Sequence, residues 1–260
     1  MTPAAQSILS VEEIAIAFGG LKALDNVSFE VPRLSITGLI GPNGSGKSTL
    51  FNCISGFLVP TVGRIRLDQA DILGLAPHRI AQRGMARTFQ TTRVPGRMTA
   101  LETLMVAAPG QENETALAAL LKRDAIRRQD RRNLVRARDL LDLVGIAHVE
   151  NEFAAELSGG QRRLLSIACV LFRDPDVILL DEPAAGINPG LVRDLTKLIL
   201  RLRDSLAKTF LVVEHDMHFI SNLCDKVVVL DAGRKIAEGS PKMIREDPRV
   251  LEVYLGSKRT

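Results

Sequence analysis

Gly41-Pro42-Asn43-Gly44-Ser45-Gly46-Lys47-Ser48-Thr49 is the stretch on which the reading of this chain turns. A short apolar run, Ser35 to Ile40, precedes it, and Lys47 to Phe57 carries apolar residues at helical spacing, so the pattern predicts strand, glycine-rich loop and helix. Glycines let a backbone wrap closely enough for successive N–H groups to face phosphate oxygens, and the following helix adds its positive end. In such a loop Lys47 reaches the β- and γ-phosphates of a nucleotide, and the Ser48 hydroxyl ligates Mg2+. A chance glycine-rich turn needs neither the strand before it nor the helix after it, so nucleotide binding is the first expectation.

Further along the chain, Val177-Ile178-Leu179-Leu180-Asp181-Glu182 sets two carboxylates at the end of an apolar run. Alone, such a pair is more often a strand ending in a solvated loop. Beside a phosphate loop it assigns Asp181 to Mg2+, directly or through water, and Glu182 to accepting a proton from water attacking the γ-phosphate. Phe210 to Val213 and Val227 to Leu230 are also fully apolar, as buried parallel strands with crossover helices are. Val11 to Phe18, Val27 to Val31 and Arg64 to Leu67 partly alternate and predict a half-exposed antiparallel layer; Met85 to Phe89 reads as a core strand. From about Thr91 to Glu156, leucines at three- and four-residue intervals predict a helical insertion.

The 260 residues are enough to bury a real core, and 46% hydrophobic with 25% charged residues excludes disorder or a collagen-like repeat. Aromatic residues are only 4%, with no Trp, which argues against a base-stacking surface. The net charge of +4 is misleading, because Lys122 to Arg138 holds eight basic and two acidic residues and leaves the remainder at −2. The expectation is no nucleic-acid partner. The basic segment reads as the solvated face of a helix, or as a face drawn to anionic lipid headgroups. Cys53, Cys169 and Cys224 are an odd number among apolar neighbours and read as free thiols of a reducing compartment. Without a secretory pattern or an apolar run of membrane-spanning length, the expected location is cytoplasmic.

Leu157-Ser158-Gly159-Gly160-Gln161 opens the helix-like stretch Gln161 to Phe172, giving a second anion-binding helix start that a simple P-loop kinase or GTPase does not need. With this segment the chain resembles, over nearly its whole length, the ATP-binding subunit of ABC transporters. The resemblance implies an α/β P-loop NTPase core with an antiparallel β subdomain and an inserted α-helical subdomain at about 91–156, all within one ATP-binding domain over 1–260. It implies ATP and Mg2+ as ligands, bound through Phe18 on adenine and through Gly41, Pro42, Asn43, Gly44, Ser45, Gly46, Lys47, Ser48 and Thr49 on phosphate. Core packing is the alternative for Phe18. Family members pair head to tail, so Ser158, Gly159, Gly160 and Gln161 would meet the ATP held by the partner. Gln90, after Arg87-Thr88-Phe89, matches the glutamine that senses Mg2+ and the attacking water, and His215 matches the histidine at the γ-phosphate. His78, His148 and His218 are left as structural.

One departure stands out: Ala185-Gly186-Ile187-Asn188 replaces the usual Ser-Ala-Leu-Asp. That wording, with Phe18-Gly19-Gly20-Leu21, Glu214-His215-Asp216-Met217 and the ending Glu252-Val253-Tyr254-Leu255-Gly256, resembles the ATPases of branched-chain amino acid importers. The implied partners are a second cassette, identical or related, transmembrane permease subunits that receive the surface from about Thr91 to Leu104, and indirectly a periplasmic or extracellular substrate-binding protein. The implied place is the inner face of the cell membrane. Urea or amide import, lipid or polysaccharide export, a soluble ABC ATPase acting on DNA or ribosomes, and a nucleotide-dependent binding module remain rival readings.

Overall fold

The structure is a computed structural model that describes residues 6–88, 97–108 and 123–256. Two compact units emerge, one of Met1–Arg87, Pro175–Ala185 and Val192–Thr260, the other of Thr88–Asp174 and Gly186–Leu191.

The first unit opens with strands β1 (Ser7–Phe18) and β2 (Leu21–Pro32), which pair as an antiparallel hairpin across Gly19-Gly20. With β4 (Val62–Leu67) and β5 (Ala70–Asp71) they form a sheet of order β2-β1-β4-β5. Alternation is why: Ile14, Ile16, Val27, Phe29 and Val31 turn into the core, while their neighbours face outward. The second sheet holds β3 (Ile36–Ile40), β6 (Met85–Arg87), β7 (Val177–Asp181), β8 (Thr209–Val213), β9 (Lys226–Asp231) and β10 (Arg234–Gly239), in the order β10-β9-β3-β8-β7-β6. Its β3, β7 and β8 are buried at every residue and lack alternation, as parallel strands covered on both faces must. The third residue of the predicted strand ending at Phe89 is its last here, and Phe89 lies outside the described residues.

Helix α1 (Lys47–Ile54) follows the glycine-rich loop. It stops earlier than its apolar spacing suggests because Gly56, at φ +77°, closes it: Phe57 N–H donates to Asn52 O at 2.9 Å and Gly56 N–H to Cys53 O at 3.2 Å. Leu50, Phe51 and Ile54 of α1 join Leu39, Leu179, Leu211 and Val228 of the parallel sheet and Leu9, Ile14 and Val27 of the antiparallel one in a single buried cluster. The loop ahead of α1 is thereby anchored at the C-terminal end of β3, where parallel α/β sheets place their ligands. Helix α2 (Pro77–Gln82) leads into β6.

In the second unit α3 (Ala100–Val106) starts with a capping box between Thr99 and Glu102. Helix α4 (Arg123–Leu143) buries Asn133, Ala137, Leu140 and Leu141 and exposes Arg127, Arg128, Arg131 and Arg132, which suits a solvated face and a lipid-facing one alike. Arg136 stacks on Phe172 at 5.6 Å, and Arg138 pairs with Glu150 at 3.1 Å. After a 3-10 turn at Ala147–Val149 comes α5 (Gly159–Phe172). Helix α6 (Pro189–Leu206) begins in this unit and continues in the first, which α7 (Met217–Leu223), α8 (Pro241–Glu246) and α9 (Pro248–Gly256) complete. Among the described residues no helix is long and apolar enough to cross a membrane. The three thiols are free, with Cys53 and Cys224 buried and Cys169 half-buried.

Candidate functional site

The phosphate-type loop is shaped by two glycines, Gly41 and Gly46, at which no side chain fits. Gly41 has φ +152°, and a Cβ there would stand 2.1 Å from Leu230 O and 2.6 Å from Ser45 Oγ. A Cβ on Gly46, at φ +100°, would stand 2.7 Å from Ala23 O. On the other side Gly233 N–H donates to Ser45 O at 3.1 Å, and Asp25 N–H donates to Gly233 O at 2.8 Å. The loop is therefore clasped between the start of β2 and the β9–β10 turn. Gly233 is not among the residues expected from sequence; its signal is the Asp231-Ala232-Gly233 turn between two strand-like runs.

Lys47 is buried and its Nζ donates to the carbonyls of Gly41 and Pro42, each at 2.8 Å. Burial pulls its ammonium below the usual lysine range, and the charge of Glu182 opposes that shift, so these two side chains share one electrostatic neighbourhood. The Ser45 hydroxyl is buried without a hydrogen-bond partner among the described residues. A buried donor beside a cationic lysine and a backbone that tolerates no Cβ suits a phosphate oxygen. Asn43, Gly44 and Ser48 are exposed, Pro42 and Thr49 half-buried.

Asp181 ends β7 and is held there by Arg87, whose Nη2 donates to Oδ2 at 2.8 Å. Arg87 Nη1 donates to Asn52 Oδ1 at 2.7 Å and Ser55 Oγ at 2.9 Å, and its guanidinium lies 4.7 Å from the Phe51 ring centre. The next residue, Glu182, is half-buried with φ +44°, and its N–H donates to Val213 O at 2.9 Å. A carboxylate and a hydroxyl, Asp181 and Ser48, are the hard oxygen donors that Mg2+ takes, so the residue types fit the ion. Gln90 lies outside the described residues.

On β8's C-terminal side Glu214 is fully buried. Its Oε1 accepts from Ala184 N–H at 2.7 Å and its Oε2 from His215 N–H at 3.1 Å. Burial pushes its carboxyl up from the usual glutamate range, and the N–H groups of Ala184, His215 and Asp216 pull against that. The His215 ring is exposed, with Nδ1 3.7 Å from Glu214 Oε2. His78, His148 and His218 are surface residues, and no group of three or more metal-ligating side chains exists among the described residues. Glu214 is likewise not among the site residues expected from sequence; its signal is a lone acid after a fully apolar strand.

Phe18 is 51% exposed at the tip of the β1–β2 hairpin, which rules out core packing. In the second unit Ser158 Oγ accepts from Gln161 N–H at 3.2 Å and Gln161 Oε1 from Ser158 N–H at 2.8 Å, a reciprocal cap on α5. Ser158 and Gly159 are exposed; Gly160 is buried, and a Cβ there would stand 1.9 Å from Leu191 Cδ2. The departure at Asn188 has a local use: its Oδ1 accepts from Leu191 N–H at 2.9 Å and so caps α6.

Comparison with known proteins agrees with this geometry. Residues 24–185 match the family described as ABC transporter, and residues 234–259 match one described as branched-chain amino acid ATP-binding cassette transporter. The high-affinity branched-chain amino acid transport ATP-binding protein BraF of Pseudomonas aeruginosa is 43% identical over 249 residues, 96% of this chain and 98% of that one. The corresponding LivG of Escherichia coli is 40% identical over 251 residues, 96% and 98% of the two chains. Among solved structures, a nucleotide-free ATP-binding cassette from an ABC transporter superposes with TM-score 0.84 at 37% identity, covering 96% of this chain and 99% of that one. A cassette of an ABC transporter in its ADP conformation gives 0.83 at 36% identity with the same coverage. The chain belongs to the ABC transporter ATP-binding family, within its group of branched-chain amino acid transport ATP-binding proteins.

Proposed function

We propose that this chain is the ATP-hydrolysing subunit of an importer of branched-chain amino acids, working as one cassette over 1–260 with a helical insertion at about 91–156. The observation that carries the reading is the convergence of Lys47, the buried Ser45 hydroxyl, Asp181 and Glu182 at the C-terminal ends of β3 and β7, in a chain about 40% identical to BraF and LivG over nearly its whole length.

In this reading the loop from Gly41 to Thr49 wraps the phosphates of ATP, Lys47 turns from its two carbonyls toward the β- and γ-phosphates, and exposed Phe18 stacks on adenine. Ser48, Asp181 and Gln90 hold Mg2+, which when bound offsets charge on the phosphate oxygens. Glu182 accepts the proton of the attacking water, Gln90 orients that water, and His215 contacts the γ-phosphate. Ser158, Gly159, Gly160 and Gln161 serve the ATP of a second cassette, so two cassettes, identical or related, close on two nucleotides. Most of the rate comes from positioning and charge stabilisation. From the inner face of the cell membrane, closure of the cassettes moves transmembrane permease subunits, which a substrate-binding protein supplies from outside.

Affinity purification of the tagged chain from detergent-solubilised native membranes tests this. Polytopic subunits, with or without a second cassette, are expected by mass spectrometry, and their reconstitution with the chain should give ATP-dependent leucine, isoleucine or valine uptake. Recovery of the chain alone, or with ribosomal or DNA-bound proteins, would overturn the transporter role.

A further inference from the structure

Glu214 stands at the meeting of three segments that the proposed chemistry uses. Its backbone N–H donates to Leu39 O at 3.3 Å, two residues ahead of Gly41. Its Oε1 takes the N–H of Ala184, in the turn that Ala185 N–H closes onto Glu182 O at 3.1 Å. Its Oε2 takes the N–H of His215. β7 and β8 are parallel and in register with Asp181 beside Val213, so Glu182 and Glu214 leave the sheet side by side.

Glu182 needs such support. At φ +44° it occupies the left-handed region, which a side chain of its size rarely adopts unless the surroundings enforce it. Two ties do so: Val213 O takes the N–H of Glu182 itself, and the Glu214 carboxylate grips the turn two residues on. A carboxylate is the side chain suited to this place, because each oxygen accepts from a different loop. It is also costly to bury, fully enclosed and accepting from the backbone N–H groups of Ala184 and His215. A fold that needed only an apolar strand end would have placed an aliphatic residue there.

We propose that Glu214 is a positioning residue that locks the turn after Glu182 and the backbone of His215 into one frame, so that base and histidine address the same γ-phosphate. This rests on the roles given above to Glu182 and His215. It predicts an effect on turnover without an effect on nucleotide capture, since Lys47 and the glycine loop are held by other bonds.

The test compares Glu214→Gln, Glu214→Ala and Glu182→Gln in the full chain assembled with its co-purifying membrane subunits, reading kcat, KM for ATP and affinity for a fluorescent ATP analogue. Gln keeps one acceptor oxygen and replaces the other with a donor, so it cuts one of the two ties without a change of size. Glu214→Gln is expected to lower kcat between about tenfold and about a hundredfold, with analogue affinity and KM within about twofold, as small misplacements of reacting groups do. Glu214→Ala is expected to lower kcat further. Turnover of Glu214→Gln within about twofold of the native chain, while Glu182→Gln is inactive, would overturn the positioning role alone. A kcat loss matched by equal losses of analogue affinity and thermal stability would reduce Glu214 to a structural residue and also overturn it. Substantial turnover in Glu182→Gln would sink the assignment of Glu182 and this inference with it.

Discussion

Arg87 and Asp181 form a nearly buried ion pair, Nη2 to Oδ2 at 2.8 Å, with the two side chains 13% and 9% exposed. It links β6 to the end of β7, and through Asn52 and Ser55 to α1, so the carboxylate read as a metal ligand is oriented before any ion arrives. Removing one partner of a buried pair leaves an uncompensated charge, which costs about 3–5 kcal/mol. Arg87→Ala is expected to lower unfolding stability in urea by about that amount. Arg87→Lys should recover only part, because an ammonium cannot span three acceptors as a planar fork does. A loss under about 1 kcal/mol for Arg87→Ala would mean the pair is solvated in solution.

Two glycines of the phosphate loop should respond very differently to alanine. At Gly41 the new Cβ meets Leu230 O, a backbone atom, at 2.1 Å with φ +152°. That position has no way to yield, and Gly41→Ala is expected to cost more than about 4 kcal/mol or to leave the chain insoluble. Gly44, at φ +80°, has nothing within 4 Å of a built Cβ, so Gly44→Ala carries only the left-handed backbone cost of about 1–2 kcal/mol. Thermal melts of the two variants side by side decide it, and equal losses would contradict the packing.

The three thiols should be slow to react. Burial pushes Cys53 up to about 11 and Cys169 to about 12, and burial with the charges of Asp225 and Glu214 also raises Cys224 from the usual thiol range. Since the thiolate is the nucleophile, a disulfide reagent at mildly alkaline pH should label the folded chain at least about tenfold more slowly than the unfolded chain, which exposes all three. Rapid labelling of even one thiol in the folded chain would contradict its burial.

Tyr254, the single tyrosine of a Trp-free chain, lies in α9 with its phenol pushed up to about 12 by burial, against an opposing hydrogen bond from the Gly41 backbone. The folded state holds this proton more tightly than the unfolded state, whose phenol titrates near about 10. The associated stability is therefore complete below pH of about 10 and falls as pH rises toward about 12. The phenolate absorbance band reports this one residue, so its appearance should coincide with alkaline loss of structure. Ionisation at the ordinary phenol pH in the folded chain would place Tyr254 in solvent.

Much of this protein was readable along the chain. Runs without alternation at Val177 to Leu180 and Phe210 to Val213, alternation at Val27 to Val31 and the glycine pattern from Gly41 to Gly46 each carry a local physical rule, and local rules act within a few residues. The α/β class, the glycine-rich loop and the proposal of Lys47, Asp181 and Glu182 as its chemistry therefore came from sequence alone. Tertiary structure alone decided what supports them. Gly233 reaches Ser45 across most of the chain, Arg87 finds Asp181 94 positions away, and Glu214 finds Ala184 across 30. Those pairings have no period or spacing, because they arise where parallel strands distant in sequence end side by side and buried polar groups must find partners there.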